Sequence, residues 1–301
     1  MKKKVLLIIN PCSGKMKVNK LLTDIVDVFT KADFLTTILT TTRVGDATKY
    51  AQEYAKNFDL IACAGGDGTF NETVSGVIKS KIRVPIGYIP CGSTNDFAQS
   101  LGLSKDIVGA ARDIVNGYPI PFDVGDFSGR PFSYVASFGA FTSSAYETPQ
   151  NVKNALGHLA YILDGINALP SIKSTHVKIE ANGEIYEDDY IFGTISNSKS
   201  IAGILTLDDK FVDMSDGLFE MLLVKMPKDM IELAKIVEIL RTQNFEENNG
   251  LVTFVNSSEF RIKMSKDENW TLDGEFQQGM DDIVIKNNHV AIDMVMRKKQ
   301  K

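Results

Sequence analysis

The stretch Leu60-Ile61-Ala62-Cys63-Ala64-Gly65-Gly66-Asp67-Gly68-Thr69-Phe70-Asn71-Glu72 decides how this chain is read. Leu60 to Ala64 is a short apolar run, the signature of a strand buried on both faces. From Thr69 to Ser80 the apolar residues fall at Phe70, Val74, Val77 and Ile78, the spacing of one helix face. A strand that breaks into glycines and restarts as a helix leaves bare N–H groups at the helix N-terminus. Orphan amides and the positive end of the helix dipole favour a phosphate there. Without a Cβ, Gly65, Gly66 and Gly68 let the backbone come close to a charged ligand. Asp67 beside a phosphate calls for a Mg²⁺ between them, or for a role in orienting a water or a proton. A tight strand–helix turn with Asp67 as N-cap accounts for these four residues equally well.

A second stretch of the same design lies close by. Val84 to Ile89 reads as a buried strand, followed by Pro90-Cys91-Gly92-Ser93-Thr94-Asn95-Asp96-Phe97-Ala98, a Gly and hydroxyl-rich turn that opens a helix. Two parallel strands ending at such turns place both loops on one carboxyl edge, where open α/β sheets bind ligands. Earlier in the chain, Val5 to Ile9 reads as the first strand and ends at Asn10-Pro11-Cys12-Ser13-Gly14-Lys15. That loop is like a phosphate cradle but lacks the full Walker pattern, so P-loop chemistry is disfavoured. Leu21 to Phe29 reads as a helix, Leu35 to Leu39 as a strand ending in Thr40, Thr41 and Thr42, and Ala47 to Ala55 as a helix. This alternation runs to about Asn116 and predicts a parallel sheet covered on both faces.

From Pro119 the texture changes. Phe132 to Phe138, Val177 to Ala181, Ile185 to Ile195, Leu218 to Val224, Leu251 to Val255, Phe260 to Met264 and Ile283 to Ile285 read as strands. Asn182-Gly183 is a two-residue hairpin signal. The pattern predicts a mostly antiparallel β-sandwich interrupted by helices over 152–168 and 230–240, the second with Pro227 ahead of it. His289 to Met296 reads as a final strand returning to the first domain. The expected division is 1–123, with 287–301 returning to it, and 124–286.

At 301 residues the chain can bury a sizeable core, and its formal net charge of −5 argues against a dedicated nucleic-acid binder. Lys2, Lys3, Lys4, Lys15, Lys17 and Lys20 open the chain, and Arg297, Lys298, Lys299 and Lys301 close it. Brought together, the two ends would form a basic patch suited to nucleotide phosphates or an anionic membrane; apart, they are solvated termini. The three cysteines, Cys12, Cys63 and Cys91, lack metal-ligand spacing. Their odd number, with an opening too short for a signal peptide, points to a reducing, cytoplasmic location. No apolar run approaches the roughly 20 residues needed to span a bilayer, so the expected membrane contact is peripheral, at the inner face. His158, His176 and His289 show no relation to a nucleophile, and His158 is expected on a helix surface.

In this order, Asn10 to Lys15, Gly45-Asp46-Ala47-Thr48, Gly65 to Glu72, Pro90 to Phe97, Asp123 and Asp273-Gly274-Glu275 resemble the diacylglycerol kinase catalytic-domain family. They look most like its bacterial soluble members and their lipid-kinase relatives, and the resemblance runs nearly end to end. It implies a fold of NAD kinase and diacylglycerol kinase type: an α/β N-terminal domain with a parallel sheet, a mostly antiparallel β-sandwich C-terminal domain, and catalysis in the cleft between them. ATP and Mg²⁺ are the implied cofactors. The implied nucleotide contacts are Asn10, Pro11, Cys12, Ser13, Gly14, Thr41, Gly65, Gly66, Asp67, Gly68, Thr69, Asn71, Glu72, Gly92, Ser93 and Asn95, with Lys15 a candidate by position. Where close relatives have Gly-Thr, this chain has Gly92-Ser93 and then Thr94, and Ser93 keeps a hydroxyl.

The resemblance also assigns catalytic roles. Asp67, Asp96 and Asp123 form an acid–water–Mg²⁺ network. Glu275, beside Asp273, is the general base for the lipid hydroxyl, a task that suits a carboxylate raised toward neutrality by burial or by nearby acids. A structural Mg²⁺ is implied at Asp213, Asp216 and Leu218, although a plain Asp-Gly turn explains those residues nearly as well. Phosphorylation of diacylglycerol at a membrane surface is the activity implied. Phosphatidylglycerol, a sphingoid base or a prenol are alternative acceptors, and the Gly-Gly-Asp-Gly-Thr element is also similar to NAD kinases and phosphofructokinases. A non-catalytic lipid- or nucleotide-binding regulator of the same fold is the reading from another class. Exposed sandwich edges make a homodimer an expectation too.

Overall fold

Lys3–Ile9 forms β1, whose last five residues are fully buried, as a strand packed on both faces must be. The computed structural model to which this strand belongs describes residues 2–93, 95–139, 173–201, 205–208, 210–245 and 250–297. The helix expected over 152–168 with His158, and Thr94, Lys298, Lys299, Lys301 and the Lys15 side chain, lie outside the described residues. The chain divides into two units, Met1–Val124 with His289–Lys301, and Gly125–Asn288.

The first unit continues with α1 (Lys17–Lys31), β2 (Phe34–Thr40), α2 (Asp46–Tyr54), β3 (Leu60–Gly65), α3 (Asp67–Ser80), β4 (Ile86–Pro90), α4 (Asp96–Leu101), α5 (Ile107–Val115) and the start of β5 (Tyr118–Phe127). Strands β4, β3, β1 and β2 pair in that order, all parallel. The register sets Ile9 level with Thr40 and Ala64, and Gly65 level with Pro90. Four strands therefore end at one edge, and the loops that follow them start there. One face of the sheet buries Val5, Leu7 and Ile9 against Val18, Ile25 and Phe29 of α1 and Ile107, Ala111 and Ile114 of α5. Each of these side chains larger than alanine contributes roughly 1.5–3 kcal/mol of burial. Phe70 of α3 stacks on Tyr88 of β4 at 4.7 Å and on Phe97 of α4 at 5.0 Å, which fixes where α3 and α4 begin.

The second unit contains β6 (Arg130–Phe132), β7 (Val135–Gly139), β8 (Thr175–Ala181), β9 (Glu184–Ser196), a small ribbon β10 (Ser200–Ile201) with β11 (Leu205–Thr206), β12 (Phe219–Lys225), α6 (Met230–Thr242), β13 (Val252–Ser257), β14 (Glu259–Met264), β15 (Trp270–Leu272), β16 (Glu275–Gln277) and the start of β17 (Asp282–Met296). It is antiparallel along β16-β15-β7-β9-β8-β14-β17, with β12 joining β9 to β13. Its core gathers around Trp270, whose ring lies 4.9 Å from Phe138 and 5.1 Å from Phe127. Leu233, Ile236 and Leu240 of α6 pack on Phe192, Leu222 and Val224. Asn182-Gly183 forms the two-residue hairpin with both φ angles positive, 54° and 80°, as the sequence predicts. The fold class read from the sequence, parallel α/β followed by mostly antiparallel β, holds.

Three elements differ from the sequence reading. Strand β5 was hidden by Pro119 and Pro121, which sit at its start, ahead of the Gly125–Phe127 segment paired with β6. The strand expected over 132–138 is two strands, broken at Ser133 and Tyr134. The two strands expected at 283–285 and 289–296 are one, β17, which ends parallel to β4 with Met294 opposite Ile86. That register also separates the basic ends of the chain. Met294 is level with Ile86, Ile61 and Leu6, so Arg297 lies at the carboxyl edge and Lys3 at the amino edge, about 20 Å apart along the strands. Arg297 pairs with Asp113 at 3.5 Å and Lys2 with Asp33 at 3.4 Å. No helix among the described residues is long and apolar enough to cross a membrane.

Candidate functional site

Three loops converge at the carboxyl edge of the parallel sheet. Gly14 takes φ +53°, and a Cβ built there would lie 1.6 Å from the Cys91 carbonyl oxygen, so only glycine fits. The Cα atoms of Gly66 and Gly92 approach so closely that a Cβ on Gly92 would meet Gly66 at 2.7 Å. Backbone bonds tie the loops: Cys91 N–H donates to the Gly65 carbonyl at 2.7 Å, Asn10 N–H to Ala64 at 2.9 Å, and Thr41 N–H to Ile9 at 2.8 Å. The Asn10 side chain accepts from Cys12 N–H at 3.0 Å and donates to Thr69 Oγ1 at 3.2 Å. Asn95, in the left-handed region at φ +55°, closes the third loop by bonding both the N–H and the carbonyl of Gly92. Ser13 and Asn71 are buried beside these loops, whereas Cys12 and Ser93 are exposed. Ser93 and Asn95 also line a cavity of about 220 Å³ that runs to Gln99 and Lys105.

The N-terminus of α3 carries no side-chain cap. Its N-cap is Gly66, and the first-turn amides of Asp67, Gly68 and Thr69 face the loop edge as orphan donors. Asp67 is therefore not the N-cap that the sequence allowed. Its carboxylate instead accepts from Tyr88 Oη at 3.3 Å and from Asp96 N–H at 2.9 Å, which joins α3, β4 and α4. Burial pushes the carboxyls of both Asp67 and Asp96 above the usual carboxylate range. Asp123 is fully buried in β5, next to Phe122, whose ring meets Phe97 of α4 at 6.4 Å. It accepts from Val290 N–H at 2.6 Å and shares a 3.1 Å contact with the His289 ring, holding Val290 at φ +50°, a rare conformation for a β-branched residue. Burial also pushes the thiols of Cys63 and Cys91 up to about 12, which keeps both protonated.

Glu72 has both carboxylate oxygens on α2, accepting from Gly45 N–H at 2.8 Å and Ala47 N–H at 3.2 Å. The Gly45-Asp46-Ala47-Thr48 motif is thus the receiving end of an acid on α3. Asp46 in turn accepts from the N–H and hydroxyl of Thr42, both at 2.8 Å, and from Arg43 N–H. The Thr42 backbone bond is the largest reason that its carboxyl drops to about 2. A depressed acid stabilises the fold above its unfolded value, near 3.8, and that stabilisation disappears as pH falls toward 2. Acid unfolding followed by circular dichroism should show Asp46→Asn losing stability relative to the parent at pH 5–7 and converging with it near pH 2. Curves that stay parallel down to pH 2 would show that the Asp46 charge is not what holds the loop.

In the second unit, β15 and β16 form a two-residue hairpin at Asp273-Gly274, with φ +51° and +81°. Asp273 is buried and accepts from three amides, Ser133 at 2.5 Å and Tyr134 and Val135 at 3.0 Å each. These bonds explain the break between β6 and β7. Glu275 opens β16 with a side chain half exposed, 2.9 Å from Arg130 Nη2. Among the described residues its side-chain partner is Arg130, and at half exposure it is not the buried carboxylate anticipated for a base. Arg130 and Tyr88 were missed by the sequence reading. A lone Arg after Ser128-Gly129 and a Tyr within a buried strand gave no signal.

The loop 213–218 is a pair of tight turns. Asp213 Oδ1 accepts from Ser215 N–H and Oγ at 3.0 Å, Asp216 Oδ1 from Leu218 N–H at 2.9 Å, and the Leu218 carbonyl from Asn287 Nδ2 at 3.1 Å. Among the described residues no three His, Cys, Asp or Glu side chains gather as a metal cluster.

Comparison with known proteins agrees with this architecture. Residues 4–127 match the diacylglycerol kinase catalytic domain. The chain is 34% identical over 277 residues to a diacylglycerol kinase of Bacillus subtilis strain 168, covering 91% of this chain and 90% of that one. It is 32% identical to a diacylglycerol kinase of Staphylococcus epidermidis, over 92% and 87% of the two chains. Among solved structures, a diacylglycerol kinase of Bacillus anthracis strain Sterne superimposes with a TM-score of 0.75 at 27% identity, covering 98% of this chain and 97% of that one. The chain belongs to the diacylglycerol kinase family and is a kinase, an assignment that implies a nucleotide substrate.

Proposed function

We propose that this kinase transfers the γ-phosphate of ATP to the free hydroxyl of diacylglycerol, giving phosphatidic acid at a membrane surface. The observation that carries the reading is the meeting of three glycine loops, backbone against backbone, in front of an uncapped α3 N-terminus. The residues present fit a triphosphate. The α3 first-turn amides lie beside the bare backbone of Gly66 and Gly92, and the buried Ser13 and the exposed Ser93 add hydroxyls beside the loops. Asp67 and Asp96, two acids joined where α3 meets α4, would hold a divalent cation beside the phosphates through their ionised carboxylates. Mg²⁺ bound there would neutralise phosphate charge in the transition state. At the second loop, Asp216 Oδ2 with the carbonyls of Asp213 and Leu218 would hold a structural Mg²⁺.

Glu275 is the proposed general base. The acceptor oxygen attacks phosphorus while its proton moves to the Glu275 carboxylate, and the bond from γ-phosphorus to the bridging oxygen breaks with its electron pair leaving on ADP. Positioning and charge neutralisation suffice for this chemistry, with no covalent enzyme intermediate. The acceptor is tested by competition. Diacylglycerol, phosphatidylglycerol and a sphingoid base share one mixed micelle with labelled Mg-ATP, and the lipids are then separated. Label mainly in phosphatidic acid is expected. Label mainly on another lipid keeps the transfer and replaces the substrate.

A further inference from the structure

We propose that Arg130 is a positioning residue for Glu275, its guanidinium fixing the carboxylate while the β15–β16 hairpin fixes the backbone that carries it. The inference rests on the reading of Glu275 as the base. Strand β16 needs such a brace. It is three residues long, ends the order of the antiparallel sheet, and pairs only with β15 among the described residues. A half-exposed glutamate on a short edge strand samples several rotamers, and a base that wanders by an ångström loses much of its rate.

The guanidinium of Arg130 removes that freedom with three bonds. Nη2 donates to Glu275 Oε2 at 2.9 Å, and Nη1 donates to Gln277 Oε1 at 2.9 Å and to the Phe276 carbonyl at 3.1 Å. Glu275 and Gln277 are two apart on the strand and share a face, so one planar fork registers both side chains and the backbone between them. Oε2 is used by the arginine, and Oε1 is left to receive the acceptor's proton.

Arg130 is itself held rigidly. The preceding turn places Ser128 at φ +48° and Gly129 at φ +97°. Asp126 Oδ1 accepts from Gly129 N–H at 2.8 Å, and Ser128 exchanges bonds with Val284 of β17, donating its N–H to the carbonyl at 2.9 Å and accepting the N–H on Oγ at 3.0 Å. A solvent-facing ion pair contributes little to stability. An arginine anchored on one hairpin and committed to three acceptors on another therefore makes better sense as a positioning device than as a stabilising one.

The test is a double-mutant cycle on phosphoryl transfer, with Arg130→Ala, Arg130→Lys, Glu275→Gln and the Arg130→Ala/Glu275→Gln pair. Arg130→Ala should lower kcat by roughly 30–100-fold, with KM for Mg-ATP and lipid within about threefold and a thermal midpoint within a few degrees of the parent. Guanidinium ion added to Arg130→Ala should recover part of the rate, and Arg130→Lys, which keeps the charge but not the fork, should fall between. In the Glu275→Gln background, Arg130→Ala should cost nothing further. The proposal is overturned if Arg130→Ala keeps its rate while Glu275→Gln loses it, or if the two losses multiply in the double variant. If Glu275→Gln itself keeps the parental rate, the base assignment fails, and the positioning role goes with it.

Discussion

Glu275→Gln is expected to lower kcat by ~10²–10⁴-fold, the range contributed by a positioned general base. The substitution keeps size and shape, and its carbonyl oxygen can still accept from Arg130 Nη2, so the hairpin should stay in place. What it removes is the lone pair that takes the proton. The acceptor hydroxyl must then attack with its proton in place, and the barrier rises accordingly. Steady-state assays with thermal unfolding in parallel separate this from damage to the fold. A midpoint near the parental one with a strongly reduced kcat and little change in KM for Mg-ATP is the expected pattern. A rate within about threefold of the parent would remove Glu275 from the mechanism.

The second large effect is structural. Asp273→Ala should destabilise the protein by roughly 3–5 kcal/mol, because it strands three amides, Ser133, Tyr134 and Val135, that now end on one buried carboxylate. Alanine also tolerates φ +51° less well than aspartate does. Against a typical total stability of about 5–15 kcal/mol this is a large fraction, and the thermal midpoint should fall by on the order of 10 °C. Asp273→Asn keeps an acceptor oxygen and suits the same backbone region, so its loss should be smaller, about 1–2 kcal/mol. Equal losses in the two variants would show that the one acceptor oxygen kept by asparagine contributes nothing and that the charge and the second oxygen carry the whole effect.

The parallel sheet was legible because its strands are buried on both faces. Leu60 to Ala64 and Val5 to Ile9 read as continuous apolar runs, and the glycines that follow mark where each run stops. Both Asn182-Gly183 and Asp273-Gly274 announce their turns, since each needs two positive φ angles. Apart from β5, hidden by the prolines at its start, the misses arise where a partner distant in sequence overrides local pattern. The break at Ser133 and Tyr134 is made by a carboxylate 140 residues away. Arg130 gains its role from Glu275, 145 residues away. Glu72 reads as part of the glycine loop, yet its oxygens go back to α2. Asp123 is bonded to the strand that closes the sheet, and nothing near it in sequence signals that partner.

On the proposed reading, the three-loop edge delivers phosphate from nucleotide to lipid. The most direct measurement follows ADP and phosphatidic acid together when the protein meets Mg-ATP and diacylglycerol in mixed micelles. Equal yields of the two products, with neither formed when lipid or Mg²⁺ is withheld, are expected. Tight nucleotide binding without phosphate transfer to diacylglycerol or to any other lipid offered would contradict it and leave a binding protein in its place.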